Sequence, residues 1–314
     1  MEIIITDGYT LNPGDLSWKP FNELGEVKYY DRSSAIETVK KCANADIIIV
    51  NKTPIGADII ASTDNLKMIA VAATGYNNID IVAAAKRNIT VCNVPAYGTH
   101  SVAQHVFALL LHITNHVSLN ASSVQVGEWQ IAKDWCYSLQ PIIELKDKVM
   151  GIVGFGKIGK QVAMIAQAFG MKVIYSGGRE MLANTQQVSL DELFKISDVV
   201  SLHCPLTKDN KSFVNINLLG LMKPTAFLIN TSRGLLINEN DLALALQKGL
   251  LAAAALDVLS MEPPDKNNPL TILKNCIITP HNAWMSAEAR LRIMEVTLDN
   301  IKAFLKGTPQ NVVS

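Results

Sequence analysis

Between Val149 and Phe169 the chain reads VMGIVGFGKIGKQVAMIAQAF, a stretch that leaves the fold little choice. It opens with a short apolar run suited to a buried strand and closes with a helical pattern that has no Gly or Pro after Gly159. Gly154, Gly156 and Gly159 form GxGxxG in the connection. The first permits a tight turn, the second lets an anion approach the backbone, and the third lets the helix pack closely on the strand. Backbone N–H groups and the positive end of the helix dipole then face that anion, as they do around the pyrophosphate of a dinucleotide. An ordinary strand-to-helix turn is the alternative reading of the same residues.

The alternation extends in both directions. Before this stretch come EIIIT, VKYY, a helix from Ser33 to Cys42, DIIIVN, LKMIAVAA, a helix from Asp80 to Arg87, and ITVCNV. After it come KVIYS, DVVSLHC, AFLINT, LAAAALDV and NCIITP, with helical stretches such as Glu239 to Lys248 between them. Strands alternating with helices predict an α/β protein with two doubly wound parallel sheets. At 314 residues the chain is long enough for two domains, each with a core. A last helix, about Ser286 to Leu305, adds no strand and packs back on either domain.

The helix from Ser101 is apolar on nearly every face, through Val102, Ala103, Val106, Phe107, Ala108, Leu109, Leu110, Leu111 and Ile113. One sheet covers one stripe only, so the remaining faces need a further partner. A subunit interface and burial between the two domains both satisfy that need.

Charge and cysteine content narrow the partners. Lys plus Arg and Asp plus Glu number 28 each, so no general field draws nucleic acid or an anionic membrane. Cys42, Cys92, Cys136, Cys204 and Cys276 are widely spaced with no CxxC, which fits a reducing cytosol better than a disulfide framework or a zinc site. MEIIITDG lacks a basic segment before a long apolar run, so no cleaved signal is expected. The apolar segment from Ser101 to Val117 is short for a membrane span and is interrupted by Gln104, His105, His112, Asn115 and His116.

Polar residues stand where strands should end: NTSRG at 230–234, LDVLSMEPP at 256–264 and TPHNAW at 279–284. The carboxyl ends of strands in an open α/β sheet border the ligand crevice, so Arg233, Asp257, Glu262 and His281 are expected to converge there. Taken singly, Arg233 reads as a surface charge, Glu262 as a solvated loop residue and His281 as a hydrogen-bonded loop histidine. Together they suit a 2-oxo acid. Arg grips the carboxylate and carbonyl, a protonated imidazole protonates the oxygen as hydride arrives, and a neighbouring Glu favours the charged imidazole. His112 and His116 lack the Glu of HExxH and a third ligand, so no metal is expected.

The strand KVIYS runs into Ser176, Gly177, Gly178 and Arg179, where an acid usually receives the adenosine ribose. Ser176 does not repel a 2′-phosphate, the glycines leave room, and Arg179 can pair with phosphate. NADP(H) is therefore expected over NAD(H), with a polar turn and a solvated Arg179 as the alternative.

ATGYNNID at 73–80, NVPAYGTHSVAQH at 93–105, VGFGKIG at 153–159, HCPLT at 203–207, NTSRG, LDV with the EP of MEPP, and TPH follow in an order that resembles the D-isomer-specific 2-hydroxyacid dehydrogenases. The resemblance covers essentially the whole chain. DGYTLNPGDLSW, NKTP and the Trp of HNAW are most similar to the glycerate dehydrogenase, or hydroxypyruvate reductase, branch. It implies a Rossmann-type dinucleotide-binding domain over 100–283 and a flavodoxin-like substrate domain from 1–99 plus 284–314.

By the same resemblance Arg233 binds and orients the substrate, His281 gives and takes the proton, and Glu262 tunes His281. Coenzyme contacts are implied at Thr99, at Gly154, Phe155, Gly156, Lys157, Ile158 and Gly159, and at Ser176 and Arg179. Further ones are implied at Cys204, Pro205, Thr231, Ser232 and Asp257, the last at the nicotinamide carboxamide. Thr74 and Gly75 are implied to offer backbone amides to the substrate carboxylate; Lys52 and Trp284 read either as lining the substrate pocket and favouring a hydroxylated side chain, or as a surface Lys and a packing Trp. The implied reaction is reversible reduction of hydroxypyruvate or glyoxylate to D-glycerate or glycolate, by a cytoplasmic homodimer. Ser176 departs from the Asp usual in NAD-using members, and Asn282 after the histidine is also less usual. A coenzyme-sensing regulatory protein on this fold, and another member such as a D-lactate dehydrogenase, are the competing readings.

Overall fold

The structure is a computed structural model and describes residues 1–178 and 181–314. The chain divides into two compact units, Met1–Gly98 with Trp284–Ser314, and Thr99–Ala283.

In the first unit, strands β1 (Glu2–Ile5), β2 (Glu26–Tyr29), β3 (Ile47–Val50), β4 (Met68–Val71) and β5 (Thr90–Cys92) form one parallel sheet in the order β2-β1-β3-β4-β5. This is the flavodoxin-like order. The central strands IIIV and MIAV are buried at every position, because helices cover a parallel sheet on both faces. The last helix, Ala287–Leu305, belongs to this unit and contacts β4. Its buried residues Arg290, Ile293, Met294, Thr297, Asn300 and Ile301 recur at helical spacing. Arg290 is buried because its guanidinium meets both carboxylate oxygens of Asp15, at 2.7 and 2.6 Å.

The second unit holds β6 (Val149–Val153), β7 (Lys172–Ser176), β8 (Thr185–Gln187), β9 (Val199–Leu202), β10 (Phe227–Asn230), β11 (Ala253–Leu256) and β12 (Cys276–Ile278). They form a parallel sheet in the order β12-β11-β10-β9-β6-β7-β8, which is Rossmann order, with its reversal between β6 and β9. Alternate residues serve opposite faces. Val153, Leu228, Ala254 and Leu256 join one core, while Met150, Ile152, Phe227, Ile229 and Ala255 join the other. The edge strand β8, TQQ, has no apolar run to announce it.

The helix from Ser101 finds much of its cover within its own unit. It spans Thr99–Asn115 and packs against the helix Lys157–Ala168 and against β10 and β11, inside its own unit. Small residues on that helix, Ala163 and Ala166, let the two approach closely enough to bury Ala103, Val106, Phe107 and Leu110. Only a narrow stripe through His100, Gln104, Ala108 and His112 is exposed. The uncovered apolar surface lies downstream, where Val117, Leu119, Val126, Trp129, Ile131, Trp135 and Ile142 are exposed, Trp135 at 87% and Ile131 at 84%.

Candidate active site

The carboxyl ends of the second sheet's strands carry the polar motifs. Arg233 follows β10, Asp257 follows β11, and His281 follows β12. Arg233, Glu262 and His281 line one cavity of about 200 Å³, together with Leu206, Val258 and Leu259. His281 Nδ1 lies 2.6 Å from Glu262 Oε2, and Glu262 Oε1 accepts the Leu259 N–H at 3.0 Å. Both oxygens of that carboxylate thus have donors, which fixes its orientation. A carboxylate can only accept, so Nδ1 carries the proton in this pair, and this assignment leaves Nε2 as the atom for exchange with a ligand. The Arg233 guanidinium donates to the Ser232 carbonyl at 2.7 Å.

His281 has φ +51°, the left-handed region, which costs an L-residue roughly 1–2 kcal/mol. The loop is tied down on both sides of it. The His281 N–H reaches the carbonyls of Asp257 and Thr279 at 2.8 and 2.9 Å. The Asp257 side chain, 1% exposed, accepts from the Thr279 hydroxyl at 2.6 Å and from the Asn282 and Ala283 N–H groups, each at 2.9 Å. Asp257 therefore does not line the cavity with the other three; its carboxylate lies beneath the loop and grips it.

Two more donors reach this loop from the helix Thr99–Asn115. Ser101 Oγ donates to the Ala283 carbonyl at 2.7 Å, and His105 Nε2 lies 3.0 Å from Thr279 Oγ1 and 3.6 Å from Asp257 Oδ1. Neither residue stands out in the sequence as a site residue. Both lie within NVPAYGTHSVAQH, four residues apart and so on one helix face, but nothing there ties them to this loop.

The glycine loop fits a dinucleotide. Gly154 has φ +94°, and a Cβ there would come within 2.4 Å of the Cys204 backbone, so only glycine closes this turn against the end of β9. At Gly156 a Cβ would meet nothing within 4 Å, so the loop is open where a phosphate would approach. Gly159 packs on the Gly154 carbonyl, and no side chain caps the amino end of the helix Lys157–Ala168. Lys157 is exposed and Ile158 half-buried, whereas the Phe155 ring is buried and stacked on Tyr175 with centroids 4.1 Å apart, so Phe155 has only its backbone to offer.

At the far end of β7, Ser176 accepts the Gly154 N–H through its carbonyl, and a Cβ on Gly177 would meet nothing within 4 Å. Arg179 lies outside the described residues. Ser232 Oγ donates to the Cys204 carbonyl at 2.7 Å, linking two of the strand ends, and Pro205 O accepts from Asn210. Among the described residues Thr231 Oγ1 is buried without a partner, as an atom awaiting a ligand would be. Thr99 is the first residue of its helix. At the end of β9, His203 Nε2 lies 2.8 Å from the hydroxyl of fully buried Ser201, and desolvation holds the imidazole down to about 3. Burial likewise raises the Cys204 thiol.

In the first unit, Lys52 follows β3, and Thr74 and Gly75 follow β4, at the carboxyl edge of that sheet. Thr74 Oγ1 donates to the Val94 carbonyl at 2.7 Å, and Asn93 donates to the Thr74 carbonyl at 2.8 Å. Lys52 Nζ stands 5.7 Å from the ring centre of Trp284, which is buried. Among the described residues no group of three or more His, Cys, Asp or Glu side chains could hold a metal ion, and no helix is long and apolar enough to cross a membrane.

Residues 107–283 match the model of the D-isomer specific 2-hydroxyacid dehydrogenase NAD binding domain. A hydroxypyruvate reductase of Blautia hydrogenotrophica is 45% identical, with 100% of each chain covered. A glycerate dehydrogenase of Methylorubrum extorquens is 38% identical, with 95% of each covered. Among solved structures, an acyclic imino acid reductase in complex with NADPH and D-Arg superposes over 100% of both chains with a TM-score of 0.87 and 35% identity.

Proposed function

The chain belongs to the D-isomer-specific 2-hydroxyacid dehydrogenase family, and we propose that within it the protein reversibly reduces hydroxypyruvate or glyoxylate to D-glycerate or glycolate. The observation that carries this reading is the His281–Glu262 pair at 2.6 Å in the cavity that Arg233 also lines.

A reduced nicotinamide coenzyme, when bound, supplies the hydride. The protein does the rest. Arg233 presents its guanidinium to the substrate carboxylate and draws charge towards the carbonyl oxygen. His281 gives that oxygen a proton from Nε2, and the carbonyl becomes a hydroxyl. Glu262 accepts Nδ1–H throughout, holds the ring in one tautomer and offsets the positive charge of the loaded imidazole. In oxidation His281 takes the proton back. Gly154, Gly156, Lys157, Ile158, Gly159, Thr231, Ser232 and the Cys204–Pro205 backbone are assigned to the coenzyme. Lys52, Thr74, Gly75 and Trp284 are assigned to the substrate; the Lys52 ammonium and the indole N–H suit a hydroxylated substituent.

NADP(H) is the favoured coenzyme in this reading, since Ser176 brings no carboxylate to repel a 2′-phosphate and Gly177 borders open space. The protein acts as a homodimer in this reading, with Val117, Val126, Trp129, Ile131, Trp135 and Ile142, large apolar side chains exposed within one segment, as the candidate contact. The test is loss of reduced-nicotinamide absorbance with each coenzyme against hydroxypyruvate, glyoxylate, pyruvate and bulkier oxo acids. Hydroxypyruvate and glyoxylate should lead, and NADPH should outperform NADH; fastest turnover of a bulky apolar oxo acid would contradict the substrate assignment.

A further inference from the structure

We propose that His105 is a positioning residue for the proton donor, acting on His281 through Thr279 and Asp257; the inference rests on the catalytic role given to His281 above. Thr279 has one hydroxyl hydrogen, and at 2.6 Å it goes to Asp257 Oδ1, because a carboxylate can only accept. The contact between His105 Nε2 and Thr279 Oγ1 at 3.0 Å then requires Nε2–H as the donor. Asp257 Oδ1 lies 3.6 Å from the same Nε2, within reach of the partial positive charge of that N–H. His105 thus orients the Thr279 hydroxyl and offsets the charge of a carboxylate that is 1% exposed.

The consequence reaches His281 through the loop. Asp257 holds Thr279 on one side of His281 and Asn282 and Ala283 on the other. Ser101, one helical turn before His105, holds the Ala283 carbonyl. The helix and the end of β11 together form a clamp that keeps a non-glycine residue at φ +51°, with its imidazole on Glu262. Loss of the His105 N–H leaves the Thr279 hydroxyl oxygen short of a donor and the buried Asp257 carboxylate without a nearby positive dipole, which loosens the loop that both hold. A small displacement of a proton donor is enough to lower turnover strongly.

The test compares His105→Ala, His105→Gln and Thr279→Val in the full chain. His105→Ala should lower kcat about tenfold or more while leaving coenzyme affinity, read by nucleotide fluorescence, within about twofold. Gln offers an amide N–H at similar reach and should restore most of kcat. The His105→Ala, Thr279→Val double variant should be no slower than the slower single variant, since both cut one connection. The strongly deshielded Nδ1–H proton of His281, assigned by its loss in His281→Gln, should shift or broaden in His105→Ala without any substrate present. An unmoved proton signal, wild-type kcat in His105→Ala, failure of Gln to restore it, or multiplicative losses in the double variant would each overturn the inference. Should the wild type reduce no oxo acid, the proposed function fails, while the proton signal still decides the role of His105.

Discussion

His281 Nδ1 and Glu262 Oε2 are 2.6 Å apart, and the second oxygen of that carboxylate is held by the Leu259 N–H. An imidazole fixed in this way has one tautomer and one outward nitrogen. Replacing Glu262 with Gln keeps the shape but removes the charge that balances a loaded imidazole. Steady-state kinetics of Glu262→Gln should show kcat down about 100-fold with much less change in KM, the mark of an interaction used in the transition state. Loss of binding with kcat intact would assign Glu262 to the substrate instead.

Coenzyme choice turns on the end of β7. Ser176→Asp places a carboxylate beside the open space at Gly177, where it would meet a 2′-phosphate but accept hydrogen bonds from ribose hydroxyls. The kcat/KM with NADPH should fall about 100-fold, as like charges at a contact cost several kcal/mol, and that with NADH should hold or rise. Equal responses to the two coenzymes would remove Ser176 from the selection.

Acid stability should report His203. Desolvation holds its imidazole down to about 3 in the folded state, against an ordinary 6.5. Between those values the unfolded chain binds a proton that the folded chain does not, so this contribution is complete above pH 6.5 and is lost as pH falls towards 3. The slope is at most about 1.4 kcal/mol per pH unit for one group. Urea midpoints measured from neutral to acid pH should fall for the wild type and fall less steeply for His203→Asn; parallel curves would place the acid sensitivity elsewhere.

The exposed segment after the helix Thr99–Asn115 should be a contact between two copies. Ile131→Ser with Trp135→Ser removes two of its most exposed apolar side chains. Light scattering should give a dimer mass for the wild type and a shift towards monomer for the double variant. A wild-type monomer at all concentrations would leave the segment without that role.

Much of the fold is legible in the chain because buried parallel strands and the glycine loop carry local signals. IIIV and VMGIV are apolar throughout, and Gly154 and Gly159 stand where a side chain would strike backbone. The strand β8 is not legible, since an edge strand of Thr and Gln needs only one neighbour and leaves two of its three side chains exposed. The helix from Ser101 reads as too apolar because its packing partner, the small-residue face of Lys157–Ala168, lies some 50 residues further on.

Arg233, Glu262 and His281 are recognisable as chemistry-bearing types after strand ends, but nothing local tells which atoms meet. Asp257 reads in sequence as a ligand contact, and nothing local announces that its carboxylate also accepts from donors 22 to 26 residues away. The hydrogen bond between His105 and Thr279 spans 174 residues, and nothing local in either stretch pairs the two side chains.

The most direct measurement is a single-turnover experiment with His281→Gln, preloaded with reduced coenzyme and mixed with saturating hydroxypyruvate. Oxidation of the coenzyme should slow about 1,000-fold or more, as loss of a general acid implies, with coenzyme affinity little changed. A rate equal to that of the wild type would show that another group protonates the ketone.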